Sequence, residues 1–167
     1  AVESAIGGPV RRILSTDPVP GIRNGYRRPD QLGVDRLLGM VAARAACNGA
    51  FCVVDIGTAV TIDLVDSRGN HQGGLILPGE RLARECLLAQ TSIPDDGEID
   101  ADARLGRDTA TAVALGARYA VASTIERIVS SHQDLTGEDI SIIVGGGGSD
   151  ALLAYLPPGS ARLRELV

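Results

Sequence analysis

Asp55, Gly57 and Thr58 lie close together in Phe51-Cys-Val-Val-Asp55-Ile-Gly57-Thr58-Ala-Val-Thr-Ile-Asp63-Leu-Val-Asp66. There a β-branched run ends in an aspartate and a second run alternates apolar and polar residues. The pattern predicts a hairpin with the three residues at its bend. Such a bend offers a phosphate its backbone N–H groups and a hydroxyl, while the carboxylate holds an accompanying cation or water. The same composition also makes an ordinary turn, and the bend alone does not choose between the two. A second group, Gly33-Val-Asp35-Arg36, opens a predicted helix. A carboxylate in a first helical turn is favoured by the helix dipole, so Asp35 by itself reads as a charged helix start.

These groups need elements to position them. Residues 1–30 are rich in breakers (Pro9, Pro18, Pro20 and Pro29, with Gly7, Gly8, Gly21 and Gly25), and the chain begins at Ala1, as a piece of a larger protein would. From Asp30 or Gln31 a helix is expected, with Val34, Leu37, Leu38, Val41 and Ala45 at helical spacing and Asn48-Gly49 as its stop. After the hairpin, a third strand is expected over His71–Leu77, and Pro78-Gly79 breaks it. A short helix over Glu80–Gln90 would pack Leu82, Cys86, Leu87 and Ala89. Thr91–Arg107 reads as an acidic solvated loop; Asp95, Asp96, Glu98, Asp100 and Asp102 do not have calcium-loop spacing. Asp108 would cap a long helix to about Ser131, turning Val113, Leu115 or Gly116, Ala120, Ile125, Ile128 and Val129 inward. A strand over Ile140–Val144, a turn at Gly145–Gly148 and a helix from Ser149 through Leu156 complete the order.

That order is α/β with an antiparallel opening, unlike a plain doubly wound nucleotide fold, which starts strand, Gly-rich turn, helix. It favours a ribonuclease-H-like lobe, the repeating unit of the actin-like ATPases; no internal repeat is visible. With 167 residues, 44% hydrophobic and 22% charged, the chain can bury a real core. Aromatic residues at 2% and a net charge of -5 speak against a nucleic-acid partner. Cys47, Cys52 and Cys86 show no CxxC spacing and read as small buried hydrophobes in a reducing compartment. His71 and His132 stand alone, which argues against a histidine metal site. The apolar runs are too short to span a bilayer, no signal peptide precedes them, and the expected setting is cytoplasmic, away from membranes.

Taken together, Tyr26-x-x-Pro-x-x-Leu-Gly33-x-Asp35-Arg36, Asp55-x-Gly57-Thr58-Ala-x-Thr, Gly73-Gly74 with Pro78-Gly79, and Asp108-Thr109 give a chain that resembles type III pantothenate kinases. The resemblance runs from about Gly25 to the last helix. It implies two actin-like lobes, with 1–49 as the end of the first lobe and its connecting helix and 50–167 as the second, usually in a homodimer with ATP in the cleft. The implied reaction moves the γ-phosphoryl of ATP to the primary hydroxyl of pantothenate, the first step towards coenzyme A.

The resemblance also assigns roles. Asp35 matches the general base, Gly33 lets the backbone approach the substrate, and Tyr26 and Arg36 match substrate contacts. Thr109 matches a threonine that reaches the substrate from the neighbouring subunit. Asp55, Gly57 and Thr58 match the second phosphate motif, with Asp55 near the metal, and Gly146 lies in the turn beside the adenosine. Mg2+ and a monovalent cation (K+ or NH4+) are implied cofactors. The 108–131 helix is the expected dimer interface. Read without the resemblance, Arg36 is a surface helix residue, Tyr26 a cover for the Pro-rich segment and Thr109 the start of a capped helix.

Two departures matter. Nothing in residues 1–30 matches the family's first phosphate motif, an Asp-x-Gly-Asn-Thr strand and turn, so this chain alone is expected to have little or no kinase activity. Gly145 stands where the family carries the threonine of a Thr-Gly-Gly turn, which removes a hydroxyl beside the adenosine. The chief rival is a non-catalytic relative acting as a transcription accessory factor, which has no need of the base. Another actin-like small-molecule kinase would keep the hairpin but lack the Tyr26–Arg36 pattern.

Overall fold

The computed structural model describes residues 12–94, 97–158 and 160–162. The breakers Gly7, Gly8 and Pro9 and the acidic Asp95 and Asp96 lie outside the described residues. A 3-10 turn over Pro29–Gln31 leads to α1 (Val34–Ala46); then come β1 (Ala50–Ile56), β2 (Ala59–Val65), β3 (His71–Pro78), α2 (Glu80–Gln90), α3 (Thr109–Thr136), β4 (Ile140–Gly145), α4 (Ser149–Leu153) and β5 (Ala161–Arg162). The fold is α/β with one mixed sheet in the order β3-β2-β1-β4-β5. The β1-β2 and β2-β3 pairs are antiparallel, whereas β1-β4 and β4-β5 are parallel.

The sheet is centred on β1, which is apolar on both faces. Phe51 and Val53 point into a cluster with Leu37, Met40 and Ala43 of α1. Cys52, Val54 and Ile56 point into the opposite cluster with Val121, Ile125 and Val129 of α3 and Leu152 of α4. Alternation in a strand normally separates core from solvent; here both sets are apolar because helices cover both faces. The Cys52 thiol is pushed up to about 12 by burial first and by nearby Asp63 second, which leaves it chemically inert.

Local signals explain the ends of α3. Its N-cap is Asp108, whose carboxylate accepts from the Thr111 N–H at 2.8 Å. The helix runs past Ser131 to Thr136 and stops at Gly137, which adopts the left-handed conformation at φ 69°.

Three expectations need correction. In α3, Leu115, Ile125 and Val129 are buried as expected, but Val113 and Ile128 are half-buried and Gly116 and Ala120 face solvent. The inward stripe is carried by Ala110, Thr111, Ala114, Val121 and Ala122 as well, so small residues in the right phase outrank larger ones off it. No residue of α2 is buried, and Leu82, Cys86, Leu87 and Ala89 are exposed; the helix touches the molecule through the half-buried Ala83, Arg84 and Leu88. Cys86 is therefore not a core residue, Cys47 is half-buried, and only Cys52 fits the buried reading. The last helix ends at Leu153 and continues only as turns to the buried Leu156; β5 had no sequence signal.

Ile125 is fully enclosed between α3 and the sheet. Replacing Ile125 with Ala is expected to cost about 2–5 kcal/mol of folding stability, measured by urea denaturation with an unchanged slope.

Candidate active site

The first turn of α1 divides its two charged residues between outside and inside. Gly33 is the N-cap, and Asp35 follows it with an exposed side chain whose Oδ1 accepts from the Arg36 N–H at 2.8 Å. A Cβ at Gly33 would lie 2.4 Å from that oxygen, so glycine leaves Asp35 its position. Arg36 turns the other way and is buried.

The buried guanidinium meets a complete set of partners. Nε donates to Asp63 Oδ2 at 2.8 Å and Nη2 to Asp63 Oδ1 at 2.6 Å, a two-bond fork between α1 and β2. Nη1 donates to the Tyr26 hydroxyl at 2.7 Å, and the guanidinium carbon sits 5.5 Å from that ring's centroid. Behind Asp63, His71 Nε2 lies 2.8 Å from Oδ1; a carboxylate only accepts, so Nε2 carries the proton. The His71 ring stacks on Tyr26, with centroids 5.6 Å apart, and its Nδ1 is buried without a hydrogen-bond partner. Four side chains thus close a ring, Tyr26-Arg36-Asp63-His71, across three elements and the segment before α1. Arg36 is no surface helix residue, and Tyr26 does more than cover the Pro-rich segment.

The second group forms where the hairpin bend meets the glycine turn after β4. Asp55 pairs with Gly145 in the parallel β1-β4 register, and the Gly148 N–H donates to the Ile56 carbonyl at 3.1 Å. Gly146 has φ +86°, and a Cβ there would fall 2.5 Å from Ile56 O and 2.6 Å from Asp55 Oδ1, so only glycine fits. Asp55, Gly57 and Thr58 are all exposed. The Gly57 N–H already donates to Ala59 O at 3.0 Å, so Gly57 supplies the shape of the bend rather than that donor. Beneath the bend, the Gly79 N–H donates to Thr58 O at 2.9 Å. A cavity of about 520 Å³ opens beside both loops, lined by Ile56, Gly57, Gly147, Gly148, Arg84 and Arg118 among others. Arg118 forms a fork on Glu80 at 2.8 and 3.0 Å, and that hydrogen bonding raises its pKa.

Sequence reasoning grouped nine residues, and the structure sorts them into two sets. Tyr26, Gly33, Asp35 and Arg36 come together, as do Asp55, Gly57, Thr58 and Gly146. Thr109 joins neither; it is exposed and lines a separate groove between α2 and α3 with Leu87 and Val113. Among the described residues, no group of three or more His, Cys, Asp or Glu is arranged to hold a metal ion.

The type III pantothenate kinase family model matches residues 2–131. The chain belongs to that family. Curated type III pantothenate kinases similar to it include that of Halorhodospira halophila, 35% identical over 95% of this chain and 62% of its own length. That of Stenotrophomonas maltophilia R551-3 is 39% identical over 89% of this chain and 60% of its own. The chain therefore spans about three fifths of the length of the curated relatives it matches. A crystal structure from Campylobacter jejuni, described within the Baf family of transcriptional activators, is alike in fold, with TM-score 0.57 at 23% identity over 87% of this chain and 62% of its own.

Within this family member, Asp63 was passed over by sequence reasoning, His71 was read only as a solitary histidine, and Gly74 was noted only as part of the Gly73-Gly74 pair. The available signal was Asp63 between Ile62 and Leu64, an aspartate mid-strand that must find a buried partner. Asp63 is 1% exposed; desolvation works against its charge, but hydrogen bonds from His71 and Arg36 outweigh that and hold its pKa below the ordinary 3.8. For a depressed carboxylate, the stabilisation is fully present above the unfolded value and is lost as pH falls through the lower folded value. Thermal unfolding between about pH 2 and 4 is thus expected to lose stability more steeply in the native chain than in Asp63→Asn, which has no such proton to take up. Equal slopes would contradict the assignment.

Proposed function

We propose that this chain belongs to an enzyme that phosphorylates pantothenate with ATP, giving 4'-phosphopantothenate for coenzyme A synthesis. The observation that carries the reading is one side-chain network. It ties the helix start bearing Asp35 to β2, the strand that leaves the Asp55-Gly57-Thr58 bend, so an acceptor base and a phosphate loop share one rigid frame. In this reading residues 1–49 end a first actin-like lobe and 50–167 form the second, with ATP between lobes.

Asp35 is the base. As the bond from the acceptor oxygen to the γ-phosphorus forms and the bond to the bridging oxygen of ADP breaks, the exposed carboxylate takes the hydroxyl proton. The transition state is loose, so Asp35 chiefly orients the alcohol and accepts its proton late. Gly33, Tyr26 and Arg36 hold pantothenate beside it. The exposed Thr58 hydroxyl faces the phosphates, and Gly146 keeps the adenosine-side turn pressed against the bend. The cavity beside Gly147 and Gly148 is of a size suited to a nucleoside.

Asp55 is the carboxylate that would hold Mg2+, and the resemblance implies a monovalent cation (K+ or NH4+) besides. A lone exposed carboxylate suits Mg2+, which keeps water and substrate phosphates as its other ligands. Held by Asp55, a magnesium ion would supply charge neutralisation to the phosphates. Thr109, far from the acceptor group in its own groove, fits a contribution to the site of a second subunit in a homodimer built on α3.

The expected outcome is that the 167-residue chain binds pantothenate calorimetrically but turns over little ATP. A protein carrying this chain together with the family's first phosphate motif is expected to turn over ATP only when pantothenate is present. Asp35→Asn should lower that turnover by at least about 100-fold while pantothenate affinity changes little. Binding without turnover in the longer protein would instead favour the regulatory relative.

A further inference from the structure

We propose that Asp63 is a positioning residue for the acceptor substrate: it holds the Arg36 guanidinium and, through it, the Tyr26 hydroxyl in the geometry that receives pantothenate. This rests on the acceptor-site reading above and names residues outside it.

Four observations carry the inference. Both carboxylate oxygens of Asp63 are committed to Arg36, through Nε at 2.8 Å and Nη2 at 2.6 Å, which fixes the plane of the guanidinium as well as its position. The third guanidinium nitrogen, Nη1, then reaches the half-buried Tyr26 hydroxyl at 2.7 Å, carrying the constraint outward towards the surface. His71 holds Asp63 from the other side at 2.8 Å and holds the Tyr26 ring by stacking, so both ends of the chain of contacts are anchored by one imidazole. Finally, Gly74 lies opposite Asp63 in the β2-β3 register, and a Cβ there would fall 2.4 Å from Asp63 Oδ1 and 2.6 Å from Arg36 Nη2. The backbone has been cleared to admit this pair.

A stabilising purpose alone accounts poorly for the arrangement. A buried ion pair gives little net stability over apolar residues of the same volume, because two charges must leave water. What the pair supplies is a fixed direction. An arginine side chain left to itself samples many rotamers, and each one frozen on binding weakens affinity. Asp63 freezes Arg36 in advance, during folding. The residue next to Arg36 is Asp35, so the same anchor fixes the helix start from which the base projects.

The test is a double-mutant cycle on pantothenate affinity, read by calorimetry on the full 167-residue chain, with far-UV circular dichroism and thermal melts as the fold control. Asp63→Asn keeps the size and an acceptor oxygen but loses the two-bond fork. If Asp63 acts through Arg36 and Tyr26, Asp63→Asn is expected to weaken pantothenate about tenfold, Tyr26→Phe about threefold, and the double variant still about tenfold, since both break one chain of contacts. A general structural lesion would instead multiply, to about thirtyfold in the double variant, and would overturn the inference. So would an Asp63→Asn affinity within about twofold of the unsubstituted chain. Should Asp63→Asn not fold, His71→Phe keeps the stack on Tyr26 and removes only the hold on Asp63; a loss of about threefold that is not additive with Tyr26→Phe supports the inference, and no loss overturns it. If the unsubstituted chain takes up no pantothenate, the acceptor-site reading falls and this inference with it.

Discussion

The fork between Arg36 and Asp63 is the interaction on which the candidate site depends. It joins α1 to β2 through two residues 27 apart in sequence, and it does so beneath the surface, where Arg36 and Asp63 side chains are 6% and 1% exposed. At that depth an ion pair survives only if its remaining polar atoms are also satisfied. The surroundings meet that condition in detail. Tyr26 takes the third guanidinium nitrogen and His71 gives Asp63 a further donor. Burial opposes the Arg36 charge, yet the hydrogen bonds and the nearby Asp63 charge more than offset it and raise its pKa. Asp63 is shifted in the opposite direction, so each partner holds the other in its charged form.

The sheet turns that local fork into a long-range constraint. From Asp63 the strand β2 runs back to the Gly57-Thr58 bend, and the antiparallel register pairs Ile56 with Val60 on either side of it. Across β1, the parallel register with β4 sets Gly145 beside Asp55 and delivers Gly146 and Gly148 onto Ile56. Each contact is between neighbours, and none needs a flexible linker. The bend and the glycine turn are therefore set side by side by the pairing of β1 with β2 and β4, and the Arg36–Asp63 fork fixes the helix start bearing Asp35 to the same sheet. The proposed phosphoryl transfer would need its reacting groups held within a fraction of an ångström, and a frame of this kind suits that tolerance.

Much of this could be read from sequence because its signals are local. The hairpin follows from two β-branched runs around Asp-x-Gly-Thr, the long helix from Asp108 at its cap, and Glu80–Gln90 from the break at Pro78-Gly79. What escaped depended on partners distant in the chain. Asp63 is one polar position in an alternating strand until Arg36 arrives to pair with it. His71 is a solitary histidine until Tyr26 stacks on it. The inward face of α3 escaped for a different reason. Its stripe is filled partly by Ala110, Ala114 and Ala122, and alanines show no face preference until a neighbouring sheet supplies one. The exposed face of α2, with Leu82, Cys86 and Leu87, likewise shows that an apolar residue at helical spacing marks a possible core position, and only packing decides it.

The two halves of the site differ in how their polar groups are spent, and that difference carries a functional argument. On the proposed acceptor side the hydrogen-bonding capacity of Arg36 and Asp63 is largely consumed within the protein, with Asp35 projecting beside them. On the proposed phosphate side the Asp55 carboxylate and Thr58 hydroxyl are exposed, while the Gly57 and Gly148 N–H groups are spent on shaping the two turns. A neutral hydroxyl acceptor needs orientation above all, because its reaction is limited by the geometry of approach. A polyphosphate carries concentrated charge, and it needs donors and cations that are free to meet it. The division between satisfied side chains around Asp63 and exposed ones at Asp55 and Thr58 is the one that the proposed reaction would need.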